Sequence, residues 1–328
     1  MANIPERQNT TIAAIYQHYE DSRDSEFRPH LGASIIGTEC HRALWLKYRW
    51  TFRVSHKGRL LRLFETGQMA EARFVQNLRD VGVEIFDIDP DTNQQFQVWD
   101  LGGHFGGSMD GVGVGFIESK KAPHVIEMKT HGDSSFKQLV KKGVKESKPQ
   151  HYSQMVAYMA LRGEKRAYYI AVNKNTDELY GERIINNPTH WNYLRLKAEN
   201  VITSDRPLER INNKADSYAC RFCDEKPVCH GKTIPEINCR TCVYSTPVME
   251  FKTGLWLCEL KTLSIDTAMQ KVGCESHLLN PYIIDHWAEP IESFGNEIRY
   301  LIKETGEQFY NGPGNPSKDL AAKFGGLK

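Results

Sequence analysis

Apolar and polar positions alternate along two neighbouring stretches of the chain. One is Val112-Gly113-Val114-Gly115-Phe116-Ile117; the other is Val125-Ile126-Glu127-Met128-Lys129-Thr130. A period of two with β-branched residues predicts two antiparallel strands, joined by a polar turn over residues 119–123. Asp110 falls at the start of the first strand. Glu127 and Lys129 point to one face of the second. Helical periodicity predicts a short helix over 11–20 and another that opens on Ser34 as N-cap and carries Ile35, Ile36, Cys40, Leu44 and Trp45. Further helices are expected over 64–80, with Gly82 just beyond, over the lysine-rich 136–144, and over 149–161. Strands are expected at 83–87 and 95–100, with a hairpin of 166–173 and 179–184. Beyond residue 236 the pattern predicts only short strands and turns, such as 254–258, and a loop-like or extended tail from Glu304.

Bulk properties narrow the picture. A chain of 328 residues, 40% apolar and 25% charged, has material for a proper core. The formal charge of +1 carries no global signal for nucleic acid, so any such signal is local. No apolar run approaches a membrane span, and residues 1–10 lack the apolar centre of a secretion signal. The cytoplasm is therefore the expected compartment, and the eight cysteines are expected as metal ligands or free thiols rather than disulfides.

Candidate chemistry gathers around the two alternating strands. Carboxylates of Asp110 and Glu127 on adjacent strands can hold a hard divalent cation, with the Lys129 ammonium beside whatever the ion activates. Gln154 and Tyr158, four apart in a predicted helix, share a face. From Cys40 to Phe64 there is no acidic residue, while Arg42, Lys47, Arg49, Arg53, Lys57, Arg59 and Arg62 interleave with Trp45, Tyr48, Trp50 and Phe52. That composition suits phosphate tracking and base stacking, or else a solvated helix face. Lys137, Lys141, Lys142, Lys145 and Lys148 carry the same two readings. The glycine-rich run from Gly102 to Gly107 lacks the Gly-Lys-Ser/Thr ending of a Walker A loop, which excludes that motif as a nucleotide site.

In order along the chain, Gly67-x-x-x-Glu71, Asp110, Glu127-x-Lys129 and Gln154-x-x-x-Tyr158 resemble the RecB-like branch of the PD-(D/E)xK nucleases, over about residues 34–229. The resemblance implies an α/β fold with a restriction-endonuclease-like core, a central mixed sheet flanked by helices. It implies that the helix carrying Glu71 brings that carboxylate near the metal, and that Gln154 and Tyr158 line the active site. Asp110, Glu127, Glu71 and the Met128 carbonyl would hold Mg²⁺ or Mn²⁺.

Cys220-x-x-Cys223-x5-Cys229, with Cys40 far upstream, resembles the iron–sulfur frame of AddB-type helicase-nucleases and CRISPR-adaptation nucleases. There a [4Fe-4S] cluster closes the ends of the nuclease core. Zinc on the same four thiols, or on a C-terminal set, is the alternative. Cys239-x-x-Cys242, Cys258 and Cys274 suit a small zinc module, with His277 able to replace one thiol and a second cluster also open. The expected division is a nuclease domain over 1–235 and a cysteine-rich module with a tail over 236–328.

The resemblance thus implies a metal-dependent deoxyribonuclease, an exonuclease on DNA ends or single strands, in a phage or mobile-element recombination setting. The protein would then work in a host's cytoplasm, with recombination or replication proteins as partners. Two rival readings are a non-catalytic DNA-binding subunit and a docking component of a recombination complex.

Overall fold

The structure, a computed structural model, describes residues 10–22 and 27–324. Helices α1 (Thr11–Ser22), α2 (His41–Tyr48) and α3 (Gly58–Asp80) open the chain, with a two-residue strand β1 (Leu31–Gly32) between the first two. Then come β2 (Glu84–Phe86), β3 (Gln97–Asp100), β4 (Phe105–Ser108), β5 (Gly111–Val114) and β6 (His124–His131). Helices α4 (Asp133–Ser147) and α5 (Pro149–Arg162) lead to the hairpin β7 (Arg166–Asn173) and β8 (Leu179–Ile185), and α6 (Pro188–Thr203) follows.

The central layer is a five-stranded sheet in the order β2-β5-β6-β7-β8. Strands β6 and β7 are parallel, which requires the crossover that α4 and α5 supply. The other neighbours in that sheet are antiparallel. Strict alternation sorts β6 between two apolar layers. Ile126 and Met128 pack with Phe74, Val75 and Leu78 of α3, while Val125 joins the cluster that holds Met155, Val156 and Met159 of α5. Glu127 and Lys129 therefore face the α5 side. Burying both faces of β6 explains why it reads as a nearly continuous apolar run interrupted by charge.

Several boundaries differ from the sequence pattern, each for a local reason. The helix expected from Ser34 is two pieces. A 3-10 turn covers Ala33–Ile35, and α2 starts afresh at His41 with Cys40 as its N-cap, its Sγ accepting from the Ala43 amide. The helix expected to open at residue 64 begins at Gly58, whose amide is satisfied by Glu20 of α1, so Gly67 lies inside it. Asp110 stands between two strands rather than within one, because β4 leaves for a separate sheet, β1-β4-β3. The glycine-rich turn after β3 is a close-packing device. Gly102 has φ of 66°, and a Cβ there would lie 2.7 Å from the Met249 carbonyl oxygen.

Helix α6 has no counterpart among the expected elements; its signature is Asn187, whose side chain accepts from the His190 amide, followed by proline at the first helical position. Beyond residue 236 the chain is also more regular than expected, and the tail from Glu304 holds a strand and a helix. Strands at Ala288–Phe294, Glu297–Ile302 and Gln308–Asn311 form an antiparallel sheet, and a helix covers Ser317–Phe324. Trp256, Leu279, Ile283 and Tyr300 of this C-terminal part belong to the same apolar cluster as Trp45 and Met155. Among the described residues, no helix is long and apolar enough to cross a membrane.

Candidate active site

Strand β6 positions the centre of the site. Glu127 is fully buried, so its carboxylate is held by specific partners rather than by water. One oxygen, Oε2, accepts from Gln154 Nε2 at 3.1 Å. The other, Oε1, lies against the Lys129 ammonium yet receives no properly directed hydrogen bond. Burial pushes the Glu127 carboxyl up to about 7, opposed by the neighbouring Lys129 and reinforced by Asp110 and Glu71. Lys129 is raised above the ordinary lysine value: burial lowers it, and the attraction of Glu127, Asp110 and Glu71 outweighs that.

Asp110 enters from the β4–β5 gap. Its Oδ2 accepts from the Met128 amide at 2.8 Å and stands 4.0 Å from Lys129 Nζ. The Met128 carbonyl accepts from the same ammonium at 3.0 Å. Lys129 Nζ thus occupies a hole framed by three oxygen groups, two of them carboxylates. Glu71, half-buried on α3, lies within electrostatic reach of Asp110 and Lys129, and burial followed by Asp110 raises its carboxyl.

Helix α5 forms the opposite wall. Tyr158 donates to the Ser108 carbonyl at 2.7 Å, and Gln154 Nε2 approaches the Tyr158 hydroxyl at 3.5 Å. The tyrosine reaches β4 because Gly107 has no side chain: a Cβ there would lie 2.9 Å from its hydroxyl. Glu71, Asp110, Glu127, Lys129, Gln154 and Tyr158 are therefore brought together from one helix, one strand gap, one strand and a second helix. Three residues beside them, His131, His151 and Tyr169, escape the sequence reading. Their signal is positional, since His131 is the next same-face residue of β6 after Lys129 and His151 lies one turn before Gln154.

The donor set has the oxygen chemistry of a hard divalent cation. Glu127 Oε1 and the Asp110 carboxylate are acceptors held at low solvent exposure, both facing the Lys129 ammonium together with the Met128 carbonyl. As placed, no three His, Cys, Asp or Glu side chains among the described residues stand at ion-holding separations, here or elsewhere.

The basic, aromatic stretch divides. Arg42 and Arg49 are buried and donate to backbone carbonyls, Arg49 Nη2 to Ser204 at 2.8 Å. Trp45 and Trp50 are buried too. Lys47, Phe52 and Arg53 instead line a cavity of about 310 Å³ with Phe27, Arg28 and His30, the Arg53 guanidinium lying over the Phe27 ring. On α4, Lys137 and Lys142 form ion pairs one turn away along the helix, and Lys148, just past its end, turns inward to the Ser135 carbonyl.

The cysteines fall into two groups, all without disulfides. Cys40, Cys220, Cys223 and Cys229 line one small cavity, where Cys40 and Cys229 receive N–H groups from Ala43 and Arg210. Cys239, Cys242, Cys258 and Cys274 line another. His277 borders it, but its ring is committed elsewhere. Nδ1 pairs with Ser317 Oγ at 2.8 Å, and Nε2 with the Asn238 carbonyl at 3.0 Å. Replacement of a thiol by His277 is therefore disfavoured.

Neither a family model nor a curated protein sequence matches the chain. Among solved structures, the alkaline exonuclease LHK-Exo of Laribacter hongkongensis is similar at 14% identity and a TM-score of 0.39, over 56% of this chain and 90% of that one. A structure of SSO0001 is similar at 14% identity and a TM-score of 0.40, over 68% of this chain and 98% of that one. Likeness at such low superposition scores says nothing about activity.

Proposed function

We propose that the protein is a metal-dependent nuclease hydrolysing phosphodiester bonds of DNA, with linear ends or single strands as substrate. The observation that carries this reading is the convergence of Asp110, Glu127 and the Met128 carbonyl around the Lys129 ammonium, which gathers two carboxylates, a carbonyl and a cation in one place. Asp110 and Glu127, with Glu71 and the Met128 carbonyl, would hold Mg²⁺ or Mn²⁺. Such an ion, when bound, acidifies water and offsets charge on the phosphate.

The chain's own residues supply the rest. Lys129 offers a localised positive charge where a phosphate oxygen or the attacking water gains negative charge, and partial exclusion of solvent strengthens that attraction. Gln154 orients the Glu127 carboxylate, and Tyr158 ties the Ser108 carbonyl so that Asp110 is presented from a fixed backbone. Hydrolysis adds water across one P–O ester bond, leaving a phosphate monoester and a free hydroxyl.

We further propose that Cys40, Cys220, Cys223 and Cys229 hold a [4Fe-4S] cluster, with zinc on the same thiols as the alternative. Their convergence on one cavity, with N–H donors aimed at two of the sulfurs, supports a thiolate-bound group. Cys239, Cys242, Cys258 and Cys274 are proposed as a zinc site on the same kind of observation.

Cleavage of end-labelled linear and covalently closed circular DNA, with Mn²⁺ or with EDTA, tests the central proposal. Shortening of linear DNA that needs the metal and disappears in Lys129→Ala is expected. Sparing of the circle assigns exonuclease action. DNA bound but uncut by both proteins would overturn the enzyme and favour the binding-subunit reading.

A further inference from the structure

Three side chains next to the carboxylates make a second polar cluster, one with no part in the nuclease chemistry proposed for Asp110, Glu127 and Lys129. The Tyr169 hydroxyl, on β7 beside Glu127 in the parallel register, lies 2.7 Å from His131 Nε2 and 2.9 Å from His151 Nδ1. His131 Nδ1 in turn lies 3.4 Å from Ser135 Oγ. The two imidazoles stack with centroids 5.8 Å apart. His131 and Tyr169 are buried, and His151 is half-buried. Burial pulls His131 down to about 4 and His151 to about 3, with Lys148 and Lys129 adding to both, so both rings are neutral near pH 7.

A neutral imidazole has one N–H, and a tyrosine hydroxyl has one proton. With the Tyr169 proton also placed within the cluster, these counts leave two directions for the chain. In one, Ser135 donates to His131, His131 Nε2–H to Tyr169, and Tyr169 to His151 Nδ1, which places the His151 proton on Nε2. In the reverse direction Ser135 becomes an acceptor, and its own proton reaches no described atom. Each direction leaves one proton for a partner outside the cluster, that of His151 Nε2 in the first and that of Ser135 Oγ in the second, and only the first makes the ring on the α5 face a donor. His151 Nε2 bonds to no described residue and is not a sealed buried atom. Its ring shares the α5 face with Gln154 and Tyr158, and Lys129 is close enough to depress its basicity.

We propose that His151 is a substrate-contacting residue whose Nε2–H donates to a non-bridging oxygen of the scissile phosphodiester, its tautomer set by Tyr169 and His131 as positioning residues. The proposal rests on the nuclease reading. A neutral donor at this position binds a phosphate oxygen without adding a second full charge beside Lys129. It also explains why two histidines and a tyrosine gather away from solvent at the end of β6, where apolar side chains would pack at lower desolvation cost.

The test combines cleavage kinetics with nitrogen-15 NMR of histidine-labelled, metal-free protein. His151→Gln keeps a donor near the Nε2 position, His151→Ala removes it, and Tyr169→Phe removes the hydroxyl that sets the tautomer. The expected kinetic result is a kcat about 10–100-fold lower in His151→Ala with little change in KM. His151→Gln should recover part of that loss. The expected spectrum shows His151 as the Nε2–H form in the wild type and a mixture in Tyr169→Phe. Wild-type kcat in His151→Ala, or an Nδ1–H form of His151 in the wild type, overturns the inference. Absence of cleavage by the wild type itself would instead sink the nuclease reading, while the spectra would still decide the tautomer.

Discussion

Arg240 and Lys129 are both drawn inward from solvent, and their surroundings differ in kind. Arg240 is inaccessible to solvent and donates to three neutral acceptors: Gln270 Oε1 at 2.9 Å, the Tyr48 carbonyl at 2.9 Å and the Pro29 carbonyl at 2.7 Å. Its guanidinium lies over the rings of Trp50, Trp256 and Tyr48. Lys129 sits instead among carboxylates that repel one another, and one of those carboxylates keeps an oxygen without a directed hydrogen bond. Complete satisfaction marks a structural role, here the attachment of the C-terminal part to the N-terminal segment at Pro29 and Tyr48. A buried carboxylate with a raised pKa, offset by one ammonium and crowded by other carboxylates, marks a titratable centre instead.

Removing the arginine tests that contrast most severely. Arg240→Met deletes the hydrogen bonds to Pro29, Tyr48 and Gln270 and leaves their acceptors unpaired, so chemical denaturation should show a loss of about 3–5 kcal/mol. A loss below about 1 kcal/mol would contradict the structural assignment.

An acid titration gives a smaller effect of the same origin. His104 is fully buried, pairs with the Tyr48 hydroxyl at 2.8 Å and the Val248 carbonyl at 3.1 Å, and is pulled down to about 4, chiefly by burial. Below its ordinary value of about 6.5 the unfolded chain binds a proton that the folded protein refuses. Stability therefore falls as pH drops from about 6.5 toward 4, and His104→Gln should flatten that decline. Thermal unfolding at pH 5 and 7.5 reads it, and equal slopes in variant and wild type would mean that other groups set the acid limit.

Tyr158→Phe is the mildest change. It loses the bond to the Ser108 carbonyl, with a stability cost of about 1 kcal/mol. Cleavage should slow about tenfold because Asp110 loses its backbone support. An unchanged rate would mean that the loop carrying Asp110 is held well enough by the Met128 amide alone.

The same contrast explains which parts of the molecule are legible in the sequence. Glu127 and Lys129 are readable because alternation on a strand leaves little freedom in the facing of side chains, and Gln154 and Tyr158 because a helical turn does the same. The place of Asp110 between two strands depends on β4 departing for another sheet, which no local pattern states. The early start of α3 depends on Glu20, distant in sequence, satisfying the Gly58 amide. Arg49 reads as part of a nucleic-acid surface or of a solvated helix face because burial of an arginine under tryptophan rings is a tertiary event. The C-terminal sheet of Ala288–Phe294, Glu297–Ile302 and Gln308–Asn311 escapes the pattern because most residues of its first strand are exposed, which weakens the apolar signal. His277 shows what spacing alone leaves open: three residues beyond Cys274 it is a possible ligand, while Asn238 and Ser317 already occupy its ring.

One isosteric variant, Glu127→Gln, separates catalysis from stability when thermal unfolding and metal-dependent DNA cleavage are recorded on the same preparation. The amide keeps the shape and can still accept from Gln154, but it removes the buried charge that the site holds in tension. The expected melting temperature equals or exceeds that of the wild type, with cleavage reduced at least about a thousandfold, as loss of a group stabilising the transition state implies. A protein that melts lower and still cuts DNA would show that Glu127 is there for stability, and that the reaction, if any, lies elsewhere.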